Sequence, residues 1–418
     1  MIKNSDTSSN IITKIHFLNR PTFSPLIKNY PNIIIYSNIM GNYNSNQLIP
    51  FDYVQQVSTM ITNDTNILTY NDFHTSNMGP FSDSDSDSKS NNIIWALNDF
   101  DGLSYNDINI DFARIGSSFA ILNDKINDKK ITNTKYFDKI YDTFIKEYKS
   151  ELNDLYELNP NSNPKELTTL DIKLDNDKYK DIGFLKKVKD RIISDKEFLK
   201  KYILNGKFIR SDQIIKIDTN LYTTISTKLA EKYHNIKIYD IVQKLYSGGS
   251  SFGSLKYYVY AKYAKYSNDN IILEIKQLTP IYDPINRLIF PKANTIYNYT
   301  KLINAYSWTN LFNYLTINNS DYVIRFRDSA SSVNLEEKDF NNFKEKDFEQ
   351  YMQISAKLLA KFHYNSLLNE KINICDYLEY LKTNIKIITN NMKAFSISYV
   401  DINKKYFLYY KRILAIKK

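Results

Sequence analysis

Apolar residues recur at the spacing of an amphipathic helix in three long segments of the chain, at 108–122, 135–158 and 347–368. A lysine-rich stretch at roughly 177–205 and most of the chain after 368 also have helical character. The pattern therefore predicts one helix-rich region near the start and another at the end.

Strand-like patterns lie between these helical regions. The segments 255–266 and 271–278 are rich in aromatic and β-branched residues and flank a polar turn, which predicts a β-hairpin. Shorter strands are predicted at 322–328, at the apolar run 93–97 and at 33–36. Helix-rich, strand-rich and helix-rich regions in succession are typical of the α+β class.

Composition and charge limit the classes of protein to which the chain can belong. The chain has 418 residues, of which 43% are hydrophobic, so it can bury a large core. Its 55 basic and 46 acidic residues are intermixed, and no basic run is interleaved with aromatic residues. A lysine-rich surface is therefore favoured over a nucleic-acid groove, and nucleic acid is not an expected partner.

The cysteine content and the hydropathy pattern indicate the compartment. Cys375 is the only cysteine, which excludes an internal disulfide and suits a reducing environment. The first ten residues are polar, unlike a signal peptide, and no apolar run approaches about 18 residues. The expectation is a soluble cytoplasmic protein without a membrane partner.

Two acidic motifs at 72–77 and 98–102 carry the candidate chemistry. Asp72 and Asn77 are five residues apart, the spacing of a phosphotransferase loop in which Asp accepts the substrate hydroxyl proton and Asn holds magnesium. Asp99 follows the predicted strand 93–97, as a second magnesium ligand would, and Asp101 is a rival for that role. Each motif alone also fits an Asx-rich turn.

A glycine-rich segment and a lysine complete the set of parts. The sequence Ser-Gly-Gly-Ser-Ser-Phe-Gly-Ser opens the predicted hairpin, and Lys276 lies on its returning strand. Such a loop can cover nucleotide phosphates while the lysine pairs with them. The candidate loop residues are Gly248, Gly249, Ser250, Ser251 and Gly253.

The order of these parts is the reverse of that in ordinary kinases, because the loop and lysine follow the catalytic motif. Either these parts do not form a kinase-like site, or the fold is circularly permuted, which costs little when the termini and the new break lie in exposed loops. The second alternative is the leading one, and it predicts a circularly permuted, two-lobed protein-kinase-like α+β fold. Residues 1–240 would form the catalytic and metal-binding part of a large helical lobe. Residues 241–330 would form a small antiparallel-sheet lobe that binds nucleotide, and 331–418 would complete the large lobe with C-terminal helices.

Several segments resemble the domain-of-unknown-function 2252 family. "NDFHTSNMGPF", "IIWALNDFDG" and "IDFARIGSSFAI" are similar to its G-D-x-H-x-x-N-F-G, F-D-x-N-D-F-D-E and D-L-x-R-L-x-x-S segments. "YSGGSSFGSLKYYVYAK", "DYVIRFRD" and "LLAKFHYNS" resemble further segments in the same order, so the resemblance spans about 70–366. That family is in turn similar to aminoglycoside-phosphotransferase-like kinases.

The resemblance implies a role for each candidate residue. Asp72 would be the catalytic base, Asn77 and Asp99 the magnesium ligands, and Lys276 the phosphate lysine, while Asp111 would brace the large lobe. ATP and Mg²⁺ are the implied cofactors. The implied partners are a nucleotide and an acceptor of unknown identity.

The chain departs from the family pattern at several positions. Asn71 and Ser250 stand where the family has glycine, and Gln277 and Gly102 stand where it has glutamate. No glutamate occurs between 274 and 336, so a helical carboxylate partner for Lys276 is missing from the sequence. Asn294 or Asn298 is the expected weak substitute.

Three functions remain open on the sequence. The first is transfer of a phosphoryl group to a hydroxyl of a small molecule or a protein. The second is a pseudokinase that binds nucleotide or a partner without transfer, and the third is a nucleotidyl transferase on the same scaffold. All three require the charged ends of Asp99 and Lys276 to lie within roughly 10 Å of each other in a cleft.

Overall fold

A computed structural model describes most of the chain beyond residue 65. The described residues are 66–83, 93–126, 134–158, 167–174, 179, 181–245, 254–263, 270–278, 281–283, 287–289, 292–306, 311–335 and 337–416. The strand predicted at 33–36 and the glycine-rich segment 247–253 lie outside these ranges.

Fifteen β-strands lie in the described ranges, and all of their pairings are antiparallel. They are β1 (Asn66–Thr69), β2 (Met78–Ser82), β3 (Ile93–Leu97), β4 (Ser104–Asp107), β5 (Asp171–Lys173), β6 (Ile203–Leu204), β7 (Lys207–Phe208), β8 (Ile214–Lys216), β9 (Lys237–Lys244), β10 (Lys256–Lys262), β11 (Asn270–Gln277), β12 (Ile281–Asp283), β13 (Arg287–Ile289), β14 (Asn313–Ile317) and β15 (Ser320–Arg327).

Nine α-helices accompany the strands within the same ranges. They are α1 (Asn109–Ile126), α2 (Thr134–Leu158), α3 (Gly183–Lys189), α4 (Asp195–Tyr202), α5 (Thr219–Lys232), α6 (Ala293–Leu302), α7 (Glu337–Asn341), α8 (Glu345–Asn369) and α9 (Ile374–Ile416). The protein is therefore of the α+β class, as the sequence predicts. None of the helices described is both long enough and apolar enough to span a bilayer.

Two sheets contain the strands that matter for the site. The larger has six strands in the order β14-β15-β11-β10-β9-β8, and the smaller has three in the order β2-β3-β5. The predicted hairpin is β10 and β11, with Lys256 opposite Lys276. The larger sheet also takes in β8 and β9, which begin before residue 241, and the sequence pattern does not reveal them.

The predicted long helices are present, with ends that differ by a few residues. α1, α2 and α8 match the segments 108–122, 135–158 and 347–368. The lysine-rich stretch at roughly 177–205 is not one helix but the two short helices α3 and α4. α4 starts anew because Ser194 forms a capping box with Glu197, which fixes a helix N-terminus at that point.

The hydrophobic core lies in two main parts. The larger part joins α1, α2, α8 and α9 to the three-stranded sheet. Some of its aromatic rings meet edge to face, as Phe112 and Tyr148 do at 4.8 Å, and others stack, as Phe119 and Phe137 do at 5.8 Å. The six-stranded sheet buries apolar side chains on both faces, with Leu273 packed toward α5 and Ile272 toward α4. Alternation along β11 therefore places Glu274 and Lys276 on the same face as Ile272.

Candidate functional site

The segment 70–77, which links β1 to β2, is held by the first turn of α1. Asp111 accepts hydrogen bonds from the backbone N–H groups of Tyr70 at 2.9 Å and Asn71 at 2.7 Å. Behind it, Nε2 of His363 lies 3.0 Å from Asp111 Oδ2, and the Tyr148 hydroxyl lies 2.9 Å from Nδ1. Burial lowers the pKa of His363, so a neutral ring gives its one N–H to the carboxylate and accepts from tyrosine.

Asn71 stands at a backbone position that normally favours glycine. Its φ is +59°, in the left-handed region, which asparagine tolerates better than most side chains. Its side-chain amide also donates to the carbonyl of Gly102 at 2.9 Å and to the hydroxyl of Ser104 at 2.7 Å. These contacts explain how the chain keeps the turn without the glycine of the family pattern.

The carboxylate of Asp72 projects from this turn and contacts three polar side chains. Its Oδ1 pairs with the guanidinium of Arg114 from α1, and its Oδ2 accepts from Nδ2 of Asn77 at 2.9 Å. Nε2 of His74 lies 3.6 Å from Oδ2. Burial alone would raise the pKa of Asp72, but His74 and Arg114 outweigh it and hold that pKa well below its usual range.

Asp99 meets Lys276 where the end of β3 faces the six-stranded sheet. Nζ of Lys276 lies 2.5 Å from Asp99 Oδ2 and 2.7 Å from Asp101 Oδ2. Arg325 of β15 reaches Asp99 Oδ1 at 3.2 Å. The backbone N–H of Asp99 donates to the Tyr70 hydroxyl at 3.0 Å, which ties this group to the Asp72 turn.

The charged groups around Lys276 shift the pKa values of Asp99 and Asp101 in opposite directions. Burial would raise the pKa of Asp99, but Lys276 and Arg325 lower it to about 2. Burial and the charge of Asp99 instead raise the pKa of Asp101. For Lys276, burial acts to lower the pKa, and the two aspartates more than reverse it. Asp99 is therefore the carboxylate held ionised, while Asp101 accepts a proton more readily.

A second charged group surrounds Glu274, two residues before Lys276 on β11. Its side chain is only 2% exposed and pairs with Arg325, with Arg327 at 3.2 Å and with Lys256 at 3.6 Å. These three basic residues were not among the sequence candidates. A usable signal was present, because residues two apart on a strand share a face, as Arg325 and Arg327 do in "RFR".

A cavity of about 220 Å³ adjoins both charged groups. It lies between β2 and the face of β10, β11 and β15 that carries Glu274. The segment 328–334, which follows β15, closes another side. The rings of Phe81 and Tyr306 form part of its wall. Its charged lining residues are Lys256, Glu274, Arg325, Arg327 and Asp328.

The structure brings Asp72, Asn77, Asp99 and Lys276 together from distant parts of the chain. Asp99 and Lys276 are 177 positions apart, yet their charged atoms are 2.5 Å apart, well inside the expected limit. Asn77 is joined to the same group, because its carbonyl accepts from Asn98 N–H at 3.0 Å. The candidate loop residues Gly248, Gly249, Ser250, Ser251 and Gly253 lie outside the described residues.

The departures from the family pattern have different outcomes. The expectation that Asn294 or Asn298 partners Lys276 is wrong, because both are exposed on α6 and Lys276 is buried between Asp99 and Asp101. Gln277 faces away from Lys276, and its Oε1 accepts from Leu255 N–H at 3.0 Å. That bond fixes the start of β10.

The fold and the site define an α+β protein with acidic, basic and amide side chains clustered between helices and a sheet. The family model described as an uncharacterized protein conserved in bacteria, DUF2252, matches residues 53–412. The chain therefore belongs to the DUF2252 family. No curated protein and no solved structure matches it.

Proposed function

We propose that the protein is an ATP- and Mg²⁺-dependent phosphotransferase that acts on a hydroxyl group of a small molecule or a protein. The proposed scaffold is a two-lobed, circularly permuted protein-kinase-like fold. The observation that carries the proposal is the ion pair between Lys276 and Asp99, formed across 177 positions beside the Asp72 turn. The Asp72 turn touches this pair through Tyr70, whose hydroxyl accepts from the backbone N–H of Asp99 at 3.0 Å.

Each residue then has a role that suits its surroundings. Lys276 pairs with donor phosphates, which would replace its present aspartate partners as counter-charges. Asp72 orients the acceptor hydroxyl and takes its proton late, since phosphoryl transfer depends mainly on positioning and electrostatics. The low pKa of Asp72 suits positioning better than early proton abstraction.

The donor set at the site fits a magnesium ion that the nucleotide would bring. Asn77 uses its Nδ2 to bond Asp72, and its Oδ1 accepts no hydrogen bond from the residues that the structure describes. Asp99 is held ionised, and oxygen donors of these two kinds are the ones Mg²⁺ prefers. Mg²⁺ held by Asn77 and Asp99 would neutralise charge on the transferred group.

The number of protein ligands also suits a nucleotide-borne ion. In the described ranges no three histidine, cysteine or acidic side chains are grouped as a metal site. Magnesium in phosphotransferases commonly has one or two protein ligands, with phosphates and water as the rest. The site is therefore expected to bind Mg²⁺ with a nucleotide and not alone.

A pseudokinase is the second candidate, and one observation favours it. Both carboxylate oxygens of Asp72 are already engaged, by Arg114 and Asn77, so an acceptor hydroxyl must compete for them. A nucleotidyl transferase shares every proposed contact with the first candidate. The products separate the three functions, because phosphoryl transfer releases ADP, AMP transfer releases pyrophosphate and a pseudokinase releases neither.

The test is to incubate the full chain with ATP and Mg²⁺ and to measure ADP and pyrophosphate, with water as the default acceptor. Slow ADP release in the parent, lost in Lys276→Met, is the expected result. Lys262→Met on β10 is the matched control, because Lys262 is exposed on the neighbouring strand. Pyrophosphate release, or nucleotide binding with neither product, would overturn phosphoryl transfer.

A further inference from the structure

The cavity beside Lys276 has a lining that is unusual for a pocket that takes an uncharged ring. Three cationic side chains, Lys256, Arg325 and Arg327, face it from β10 and β15. Pockets for small ligands are mostly apolar with a few placed polar groups. Here the charged groups form most of one wall, so the ligand group that fits must supply charge.

The three cations Lys256, Arg325 and Arg327 have fewer acidic partners than charges. Glu274 is the carboxylate that all three contact, and Arg325 divides its contacts between Glu274 and Asp99. The Lys256 ammonium reaches Glu274 at 3.6 Å, which is an ion pair but longer than a hydrogen bond. Lys256 is 13% exposed, so water compensates little for the missing bonds.

The other carboxylate in the lining is turned to backbone groups. Asp328 accepts from the N–H of Ser331 at 2.6 Å and from the N–H of Ser82 at 3.2 Å. It therefore anchors the segment after β15 to β2. The strand side of the cavity carries Lys256, Arg325 and Arg327 around Glu274, and Ser331 and Ser332 line it from the segment after β15.

We propose that this cavity binds an anionic phosphate group of the ligand through Lys256, Arg325 and Arg327. This phosphate site belongs to the proposed phosphotransferase site, and its link to transfer rests on that proposed function. Its volume of about 220 Å³ is below the roughly 300–1,000 Å³ of pockets that enclose whole ligands. The cavity thus takes one end of a ligand whose remainder extends toward Lys276.

A phosphate supplies negative charge and hydrogen-bond acceptors for these three cations. A guanidinium group can donate two parallel hydrogen bonds to the oxygens of one phosphate, and a lysine adds a point charge. An uncharged purine would leave the three cations with Glu274 as their shared counter-charge and would add none, which is less favourable than a phosphate. The phosphate can belong to the nucleotide or to a phosphorylated acceptor, and the two sources predict different behaviour of ATP.

The charge state of Lys256 gives the binding a pH dependence. Burial and the neighbouring Lys276, Arg325 and Arg327 lower the pKa of Lys256 to about 8, against the attraction of Glu274. The ammonium is present below that pKa and is lost above it. Phosphate binding to the cavity therefore weakens as the pH rises from 7 to 9, and binding at pH 7.5 is accompanied by proton uptake.

The probe is inorganic tripolyphosphate, titrated calorimetrically into the full chain at constant ionic strength without magnesium. The parent is expected to bind it, and Lys256→Met is expected to bind roughly tenfold more weakly, the effect of one lost charge-assisted contact. Lys262→Met, at the exposed end of the same strand, should match the parent. Lys256→Arg, which keeps the charge, should retain most of the affinity.

ATP distinguishes the two sources of phosphate. If the nucleotide supplies the phosphate, ATP displaces tripolyphosphate from the parent. The affinities for ATP and for tripolyphosphate then fall together in Lys256→Met. If a phosphorylated acceptor supplies it, ATP keeps its affinity in that variant while tripolyphosphate loses it. Either pattern supports an anion site, and both can be observed even if the protein transfers nothing.

Two results would overturn the inference. One is equal tripolyphosphate affinity in Lys256→Met and Lys262→Met. The other is adenosine binding that tripolyphosphate does not affect and that Lys256→Met strengthens, because an uncharged ring would then occupy the cavity. Near-parent thermal unfolding of Lys256→Met verifies that the variant is folded in each comparison.

Discussion

Asp72 shows how a single residue can be fixed for its task by surroundings that lie far away in sequence. Its backbone turn is held by Asp111, and its carboxylate is oriented by Arg114 and Asn77. A carboxylate held from both sides loses little rotamer freedom when a substrate binds. Under the proposed function Asp72 faces the acceptor hydroxyl, and phosphoryl transfer requires such preorganisation of the residue in that position.

The substitution Asp72→Asn is predicted to abolish transfer and to leave nucleotide affinity within a few-fold of the parent. Asparagine keeps the size of the side chain but removes the negative charge that, under the proposed function, accepts the hydroxyl proton. The measurements are ADP release and calorimetric titration of ATP with magnesium. Asp154→Asn, on the exposed side of α2, is the control for a lost surface carboxylate.

A particular outcome would contradict this role of Asp72. If Asp72→Asn releases ADP at the parent rate, the residue serves the turn and not the reaction. Loss of nucleotide affinity together with activity would also contradict the assignment, because it would place Asp72 at the donor.

At the scale of elements, β11 connects the two charged groups of the site. Its alternation sends Ile275 into the core on the α5 side and sends Glu274 and Lys276 to the opposite face. β10 and β15 flank it with Lys256 and Arg325 on that same face. One strand thus carries both the lysine that meets Asp99 and the acid that holds the flanking cations.

The substitution Glu274→Ala is predicted to lower the free energy of unfolding by about 3–5 kcal/mol, because it leaves buried cations without their shared partner. Urea denaturation followed by circular dichroism measures the change, with an unaltered m-value. Glu379→Ala, which removes an exposed acid from α9, should cost less than about 0.5 kcal/mol. A midpoint for Glu274→Ala equal to that of the control would show that the network contributes no stability.

Local sequence pattern was sufficient for the long elements and for part of the site. The helices α1, α2 and α8 and the β10–β11 hairpin follow from periodicity, because each buries a stripe or a face over many residues. Short elements such as β8 and β5 bury too few residues to leave a period in the sequence. Whether these short strands form depends on their pairing with neighbouring strands in the folded protein.

The partners of the site residues could not be predicted in the same way. The sequence suggested that Lys276 lacks a carboxylate, since it has no glutamate in the helix where kinases place one. Asp99 and Asp101 fill that role from the end of β3, a contact that depends on how the sheet meets the helical part. Arg114 likewise reaches Asp72 only because α1 packs beside the turn.

At the scale of the whole molecule, the site exists only where the parts of the chain meet. The Asp72 turn and Asp99 come from the first third, the six-stranded sheet supplies Lys276, and α8 supplies the His363 that supports Asp111. A fragment that lacks any one of these parts would lack a complete site. The proposed permuted kinase-like scaffold accounts for this arrangement, because it joins a metal-binding turn and a phosphate lysine from reversed chain order.

The most direct measurement is ATP affinity with Mg²⁺ and with EDTA, determined calorimetrically for the parent, Asp99→Ala and Asp101→Ala. Magnesium is predicted to tighten ATP binding in the parent and in Asp101→Ala, and Asp99→Ala is predicted to remove this gain. A gain that survives in Asp99→Ala and is lost in Asp101→Ala would show that the other carboxylate holds the metal. If the parent chain binds ATP neither with Mg²⁺ nor with EDTA, the claim that this site binds a nucleotide is contradicted.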